Sequence, residues 1–413
     1  MAMRTWVLNK SSMLLFLFEL GWGLKLSIVG QISISELFLL IYVPLKILPN
    51  VKWRREKELF VITKAYVVLF CFQVLSECIV GNVLSNALKG LAITVVSYFH
   101  FMFLAVLLLR QKSLISVLIL SLILRSLIWG TGLDAQRLVS IVQGEAVVYL
   151  KVYFAPLSLL ISLYASIRLK YRNFPLLFSA YGLVLILLGA RSSGGTAFLS
   201  GLLVYMMLHV PRKRFCVIAF WTLIACYMLY VYYVNGILSG EITSGNSWQI
   251  LLCKNPYNPM ELLMVGRSEM WVGLQAFLDS FWFGHGAWAS DSTGRYELMM
   301  QALHGVEKPL SHDYSIPSHS VLAGSGMMNG VFAFMAMGYI LFFFIKRGWL
   351  SLGCNDRRYQ LVLAYYWIVL IWDALFSPQS HFRLSMPIAF AIIFTMYYNK
   401  KAKENGEPFL KSN

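Results

Sequence analysis

Long apolar runs dominate the sequence and set the first prediction. About twelve such runs approach the roughly 20 residues that a helix needs to cross the hydrocarbon core of a bilayer. They cover residues 12–29, 32–49, 59–79, 88–109, 113–131, 149–167, 173–190, 195–210, 215–234, 321–345, 359–377 and 383–398. This pattern predicts an all-α polytopic membrane protein with about 12 transmembrane helices, built as a single integral membrane domain over residues 1–413.

The composition supports a membrane protein and leaves one question of charge. Hydrophobic residues make up 58% of the chain and charged residues only 13%, against about 25% charged residues in soluble domains. The formal net charge is nevertheless +16. A clustered basic face would indicate nucleic-acid binding, whereas basic residues in alternate loops would indicate membrane topology.

The distribution of lysine and arginine favours topology. If the N-terminus lies in the cytoplasm, the segments on that side hold 22 of the 35 basic residues and five acidic ones. The rest of the chain is then nearly neutral, with 13 basic and 14 acidic residues. The positive-inside rule therefore predicts cytoplasmic N- and C-termini, and the charge gives no reason to expect a nucleic-acid partner.

The longest polar stretch lies between spans nine and ten, on the opposite side. It covers residues 235–318, which is 84 residues, and structureless loops of more than about 12–15 residues are usually functional or disordered. Within it, Asn258 and Pro259 have the form of a helix N-cap and first helical position. Apolar residues then recur at three- and four-residue spacing. We therefore expect a structured loop with an amphipathic helix near 259–281.

Three charged or titratable residues stand where the spans meet the non-cytoplasmic side, and a fourth lies in the loop between spans nine and ten. Arg191 ends span seven, His319 precedes span ten and Asp373 lies near the end of span eleven. Arg267 falls inside the apolar stripe of the loop helix, where a solvated arginine is not expected. Charged groups at membrane depth usually pair or line a cavity, so these four are the candidate site residues.

Structural interpretations remain open for each candidate. Arg191 has the position of an arginine that snorkels from a helix end, and His319 that of a structural histidine at an interface. Asp373 has the nearby Arg383 or an intramembrane lysine as an alternative ion-pair partner. The other histidines are interpreted as structural, with one of them, His312, in reserve as a site residue; they are His100, His209, His285, His304, His312 and His381.

Three segments in order resemble a known family. They read LLGARSSGGTAFLSGLLVY, VGRSEMWVGLQAFLDSFWFGHGAWA and SHSVLAGSGMMNGVFAFM, and they resemble motifs of bacterial O-antigen ligases and polysaccharide polymerases. The resemblance covers residues 173–377, about half of the chain. The chain departs from the family where Ser320 follows the histidine in place of asparagine. It departs again where Ser192, rather than glycine, follows Arg191.

The resemblance implies an activity and a role for each candidate. It implies a glycosyltransferase at the periplasmic face of the bacterial inner membrane that uses an undecaprenyl-diphosphate-linked glycan. Arg191 and Arg267 would bind the diphosphate without a metal, and His319 would accept the proton of the attacking sugar hydroxyl. Asp373 would orient that imidazole. The transfer would invert the anomeric centre, and no cofactor is expected.

Three functions stay open at this point. The leading hypothesis is a polymerase that passes a growing glycan to another carrier-linked unit. The second is a ligase that attaches the finished glycan to a lipid A–core sugar. The third is a lipid-linked sugar flippase or transporter, which typically shows repeated halves with broken helices near the membrane centre. The implied partners are the lipid-linked donor, the sugar acceptor, the bilayer and, as a further candidate, a chain-length regulator.

Overall fold

The chain folds almost entirely into α-helices. The structure is a computed structural model that describes residues 9–27, 31–51, 57–130, 149–169, 171–242, 247–305, 307–311, 314–317, 319–353 and 356–404. Its strands are limited, within those ranges, to one short antiparallel hairpin, β1 (Lys25–Ser27) with β2 (Gln31–Ser33), and an isolated bridge in the loop.

Seventeen α-helices are present in the described ranges. Their bounds are α1 (Lys10–Gly21), α2 (Ile34–Tyr42), α3 (Lys57–Val80), α4 (Leu84–Arg110), α5 (Leu114–Trp129), α6 (Ala155–Leu169), α7 (Phe174–Leu187), α8 (Arg191–His209), α9 (Arg212–Leu238), α10 (Ser247–Leu252), α11 (Pro259–Gly266), α12 (Ser268–Asp279), α13 (Arg295–His304), α14 (Val321–Leu352), α15 (Arg357–Phe376), α16 (Ser380–Leu384) and α17 (Met386–Glu404). Short π-helical turns over Val43–Ile47 and Leu150–Phe154 adjoin α2 and α6.

Six of the described helices are long and apolar enough to cross a membrane: α3, α4, α6 with its π turn, most of α9, α14 and α15. Two shorter apolar helices, α5 and α7, accompany them. The chain is therefore an α-helical protein with several helices of membrane-spanning length and composition. The first two apolar runs differ from expectation, because α1 ends at Gly21 and the β hairpin separates it from α2.

Basic segments from distant parts of the chain meet at one end of the bundle, here called the basic end. Arg347 and Lys401 both contact Glu58, at 3.0 and 3.1 Å. Lys112 and Asp356 form a second ion pair at 2.6 Å. These basic segments, which the sequence assigns to one side of the membrane, thus contact one another at one end of the bundle.

The opposite end carries the segment between α9 and α14 and is called the loop end. Glu77, nineteen residues after Glu58 on α3, belongs to it. At 1.5 Å per residue those two side chains start roughly 28 Å apart along the helix axis. Four of the described helices, α10 to α13, lie in the loop segment, so this segment has its own helical structure.

Helix α14 is broken near its start, which changes the expected course of this span. Gly330 has φ 77° and ψ −173° within an otherwise helical run. A Cβ on Gly338 would lie 3.7 Å from Leu322 Cδ1, although residues 16 apart in a continuous helix are about 24 Å apart. The segment 321–329 therefore folds back along 331–352, and only the latter is a full-length span.

Loop backbone fills the gap that the break opens. Carbonyls near a helix break lose their intrahelical donors. Here the N–H of His285 donates to Met327 O and that of Gly286 to Met328 O, both at 2.8 Å. The N–H of Val331 donates to Phe281 O at 2.9 Å. The loop is thus hydrogen-bonded into the broken helix.

A buried carboxylate fastens the same junction from α3. Glu77 Oε1 accepts hydrogen bonds from the N–H of Ala287 at 2.8 Å and from Asn329 Nδ2 at 3.1 Å. Its Oε2 accepts from Asn82 Nδ2 at 2.6 Å. Because α3, the loop and α14 meet at Glu77, the fold-back segment 321–329 has a defined position relative to the bundle.

The main apolar core lies below this junction, where α4, α14 and α17 pack. Phe101 contacts the rings of Phe344, Phe390 and Phe394 with centroids 5.2, 6.4 and 5.9 Å away. All four side chains are fully buried within the bundle. This aromatic cluster packs α4, α14 and α17 together at interior density.

Candidate functional site

Arg267 lies at a break between two loop helices. Asn258 caps α11 as predicted, with its Oδ1 accepting from Met260 N at 3.0 Å. The expected single helix over 259–281 is wrong, however, because α11 ends at Gly266 and α12 begins at Ser268. Arg267 between them has φ −135° and ψ 39°. The break directs its side chain away from the path that a continuous helix would give it.

The guanidinium of Arg267 contacts the end of α15. It lies over the rings of Trp372 and Phe376, 5.1 and 5.9 Å from their centroids, and Nη1 donates to Phe376 O at 3.4 Å. Burial lowers the pKa of Arg267, and the charge of Glu269, beyond salt-bridge distance, opposes this change. The arginine inside the apolar stripe therefore has an aromatic and carbonyl environment, and it stays charged because an arginine pKa is far above neutral pH.

Arg191 occupies the first position of α8. Its guanidinium donates to the Tyr233 hydroxyl and, at 3.4 Å, to Gln249 Oε1. A Cβ on Gly266 would lie 3.5 Å from the same Gln249 oxygen. Gln249 thus lies between Arg191 and the residue that precedes Arg267. The two arginines belong to one polar region at the loop end.

Asp373 is almost fully buried, at 4% exposure, and has three partners. Ser377 Oγ donates to Oδ1 at 2.7 Å, and Ser385 Oγ donates to Oδ2 at 2.9 Å. His381 Nδ1 lies 3.1 Å from Oδ2. The imidazole that Asp373 contacts is therefore that of His381, and the expectation that Asp373 orients His319 is not met among the described contacts.

The alternative ion pair of Asp373 with Arg383 is also wrong. Arg383 Nε lies 2.9 Å from Glu36 Oε1 instead. Glu36 is 2% exposed and also closes the capping box of α2 with Ser33. Since Arg383 has its own carboxylate, Asp373 is not needed to neutralise it.

His319 reaches the same region through the fold-back of 321–329. The next residue, Ser320, caps this segment and donates its hydroxyl to Ala374 O at 3.1 Å. Gln379 Nε2 donates to Val321 O at 2.8 Å. His319 therefore lies beside the last turn of α15, near the residue that follows Asp373. It is not at the outer tip of a straight span.

The last turn of α15 is thus the meeting point of the candidates. Phe376 contacts Arg267, Ala374 accepts from the residue after His319, and Asp373 holds His381. Arg191 joins this region through Gln249. Sequence reasoning predicted the four residues at one side of the membrane but not this arrangement, which depends on the two helix breaks.

Three residues of this region were missed in the sequence. His381 was interpreted as structural, and Gln249 and Tyr233 were not singled out. A local signal did exist for His381: Asp373 and Ser377, and likewise His381 and Ser385, are four residues apart. Pairs at this spacing share one helix face. Gln249 and Tyr233 have no comparable signal, because their contact with Arg191 joins distant segments.

Most of the other histidines have structural partners. Ser268 Oγ and His304 Nε2 are 2.7 Å apart, and His285 Nε2 lies 2.8 Å from Ala276 O. His100 is fully buried 4.0 Å from Glu19. His209 contacts Arg172, and His312 lies outside the described residues.

Positively charged side chains of this region include Lys151 as well as Arg191 and Arg267. Lys151 lies close enough to Arg191 for the two charges to interact. Neither Arg191 nor Arg267 has a carboxylate within salt-bridge distance among the described residues. The same residues contain no group of three or more His, Cys, Asp or Glu side chains suited to a metal ion. Arg191 and Arg267 are therefore two partly buried cations with only neutral partners among the described residues, and guanidinium groups of this kind can bind anions.

No family model matches this chain, and no curated protein is significantly similar to it.

Proposed function

We propose that this protein is a membrane glycosyltransferase. It moves a glycan from a polyprenyl-diphosphate carrier onto a sugar hydroxyl. The leading form is a surface-polysaccharide or O-antigen polymerase with undecaprenyl diphosphate as the carrier, and the alternative form is an O-antigen ligase that uses lipid A–core as acceptor. The proposal includes about 12 spans in a bacterial inner membrane, with the basic end cytoplasmic and the loop end periplasmic.

One contrast among the arginines is the main support. Arg125, Arg347 and Arg383 are partly buried in the bundle, and each is paired with a glutamate at 2.8 to 3.0 Å. Arg191 and Arg267 are also partly buried but have only neutral partners among the described residues. Partly buried charges are costly unless they are paired. We infer that the anion that pairs with these two is supplied by the substrate.

The diphosphate of a lipid-linked glycan fits this requirement. It is anionic before the reaction, and it gains further negative charge as the bond from the anomeric carbon to the phosphate oxygen breaks. Guanidinium groups bind such oxygens through charge-assisted, bidentate hydrogen bonds. Two of them at the leaving group stabilise the charge that develops in the transition state.

The transfer also needs an acceptor for the hydroxyl proton. An imidazole suits this role because its ordinary pKa is close to physiological pH. Two histidines adjoin the last turn of α15. They are His319, to which the family resemblance assigns the role, and His381, which contacts Asp373.

Transfer by the purified protein tests the proposal. The full chain in detergent or nanodiscs is given a carrier-linked oligosaccharide and an acceptor, and products are measured with Arg191→Ala, Arg267→Ala and, as control, Arg295→Ala. Arg295 is exposed and pairs with Asp279 in the loop. We expect a fall in turnover on the order of 10²–10³-fold for the first two variants, the range for loss of a transition-state charge partner, and no change for the control.

Two further results of this assay bear on the mechanism. Turnover should be unchanged by EDTA, whereas inhibition that divalent ions reverse would contradict the metal-free mechanism. If the wild-type protein moves carrier-linked glycan across a vesicle membrane without any transfer, it is a transporter and the glycosyltransferase proposal is wrong.

Products in cells distinguish polymerase from ligase. Deletion of a polymerase gene removes the ladder of glycan lengths and leaves single repeat units on the carrier or its acceptor. Deletion of a ligase gene instead leaves long carrier-linked chains that do not reach lipid A. The second result would replace the polymerase by the ligase and keep the same site.

A further inference from the structure

The segment after α15 places an imidazole and a carboxylate in a defined relation. Asp373 Oδ2 lies 3.1 Å from His381 Nδ1 and accepts from Ser385 Oγ at 2.9 Å, while Ser377 occupies Oδ1. A carboxylate at Nδ1 holds the proton on that nitrogen and leaves the lone pair on Nε2. Asp373 is 4% exposed but the His381 side chain is 41% exposed. The imidazole is therefore accessible although the carboxylate that it contacts is buried.

We propose that His381, oriented by Asp373 and Ser385, receives the proton of the attacking sugar hydroxyl. This inference rests on the proposed glycosyl transfer and concerns its base. As the hydroxyl oxygen bonds to the anomeric carbon, its O–H bond breaks and the proton passes to His381 Nε2. The bond from the anomeric carbon to the phosphate oxygen breaks with its electron pair, which leaves on the diphosphate. The proton later passes from His381 to solvent.

Contacts of the neighbouring residues fix the short helix α16, which carries His381. The next residue, Phe382, is fully buried and stacks on Tyr66, with centroids 5.8 Å apart. Arg383 Nε lies 2.9 Å from Glu36, and the Arg383 carbonyl lies 3.4 Å from His100 Nδ1. A base whose supporting shell is fixed in this way requires little reorganisation during the reaction.

The charges around His381 also suit a base. Asp373 faces it from α15, and Arg383 on its own helix is neutralised by Glu36 of α2. Arg267 contacts Phe376, one turn after Asp373, which places the diphosphate-binding side chain and the anchor of the base on the same helix end. Burial lowers the pKa of His381, but the hydrogen bond and charge of Asp373 outweigh it, so the pKa is raised above the ordinary 6.5.

The contact with Asp373 distinguishes His381 from His319. The carboxylate that the resemblance would set behind His319 contacts His381 instead. His319 reaches the last turn of α15 through Ser320 and the Ala374 carbonyl. In this arrangement Asp373 stabilises an imidazolium at His381 by direct contact, as the carboxylate of a catalytic triad does for its histidine.

The pH dependence of turnover tests the assignment. The purified full chain is assayed from pH 5 to 9 with carrier-linked donor and sugar acceptor, as wild type, His381→Gln, His319→Gln and Asp373→Asn. His209→Gln is the control, because His209 lies at the other end of α8 from Arg191. Folding is checked by gel filtration, and donor binding by titration with a polyprenyl diphosphate.

We expect wild-type turnover to fall as the pH falls through the raised pKa, because protonated His381 cannot accept a proton. His381→Gln should lower turnover by about 10²–10⁴-fold, the usual range for a general base, with donor binding unchanged and the acid limb lost. Asp373→Asn should move the acid limb to lower pH, since it removes the charge that raises the pKa. Added imidazole should restore part of the turnover of His381→Ala.

Other outcomes have distinct meanings. If His381→Gln keeps wild-type turnover and pH profile while His319→Gln loses both, His319 is the base; the inference is then wrong and the proposed function stands. If Asp373→Asn leaves the acid limb in place, the titrating group is not His381. If wild-type protein transfers no glycan at all, the proposed function fails and the inference with it.

Discussion

Arg267 shows how a helix break changes the environment of one residue. In a continuous helix it would interrupt an apolar stripe, and burying it there would cost free energy without a partner. The break between Gly266 and Ser268 instead lets it stack on Trp372 and Phe376. Planar stacking and a fork of N–H donors are properties of guanidinium that an ammonium lacks.

We therefore expect Arg267→Lys to impair the protein, although less strongly than Arg267→Ala. Lysine keeps the charge but loses the stacking on the two rings and the bidentate geometry toward phosphate oxygens. Turnover should fall by about 10–100-fold, with weaker binding of polyprenyl diphosphate. Isothermal titration and steady-state kinetics measure both. Arg295→Lys, at an exposed loop position, should leave both unchanged, and full activity of Arg267→Lys would mean that charge alone suffices.

The fold-back of α14 is the main feature at the scale of single elements. The hydropathy of 321–352 is that of one long span, yet Gly330 reverses the chain and Leu322 comes to lie against Gly338. Carbonyls that the break exposes accept from the loop. The loop and the broken helix thus satisfy each other's backbone groups, which explains how an irregular backbone is accommodated in an apolar bundle.

Gly330→Ala should disrupt this junction. Gly330 has a φ of 77° and a ψ of −173°, a conformation almost limited to glycine, and a residue with a Cβ there costs about 1–3 kcal/mol. The new Cβ would also lie 2.0 Å from Trp282 O. We expect a lower melting temperature of the purified protein and a loss of turnover. The matched control is Gly195→Ala in α8, where no atom lies within 4 Å of the new Cβ.

In that control, alanine should be neutral or slightly stabilising, by up to about 1 kcal/mol, because it favours the helix over the unfolded chain. Equal melting temperatures for Gly330→Ala and the wild type would contradict the sharp reversal at Gly330.

Glu77 supplies a second prediction at this scale. Replacement by alanine removes the acceptor for the Ala287 N–H and for the amides of Asn82 and Asn329. Buried donors left without an acceptor cost about 1–3 kcal/mol each. We expect Glu77→Ala to be less stable and its loop to be cleaved faster by a protease. The control Glu307→Ala concerns an exposed loop glutamate and should match the wild type in both measurements.

At the scale of the whole molecule, the paired basic residues and the two arginines of the candidate site lie at opposite ends of the bundle. Glu58 gathers Arg347 and Lys401 at the basic end, together with the Lys112–Asp356 pair. The arginines that lack a carboxylate partner among the described residues lie at the loop end. We infer that most of the net charge of +16 reflects the proposed membrane orientation, and that the proposed site uses two of the positive charges.

This separation predicts opposite accessibility for the two ends. In a chain whose native cysteines are replaced by serine, the exposed positions Ser292 and Lys403 are changed one at a time to cysteine. In intact cells with a permeabilised outer membrane, an impermeant maleimide should label the Ser292→Cys variant only. Inside-out vesicles should reverse the pattern. Labelling of both variants from the same side would contradict the predicted topology.

The sequence by itself determined the helical class, the division into apolar runs and the alternation of basic segments. These properties depend on local hydropathy and on the side of each connection, and neither requires knowledge of packing. It also singled out Arg191, Arg267, His319 and Asp373, because a charged or titratable residue in or beside an apolar helix stands out along the chain. For Asn258, local cap chemistry predicted the helix start correctly.

Only the tertiary structure decided which of these residues meet. The breaks at Arg267 and Gly330 depend on contacts with α15 and with the loop backbone, so no local pattern shows them. The same holds for Asp373, whose imidazole partner was expected to be His319 and is His381. The return of the chain after α15 brings that histidine back to the carboxylate. Which side chains contact each other depends on where helices end and how the chain turns between them. The hydrophobic pattern of the spans does not specify either.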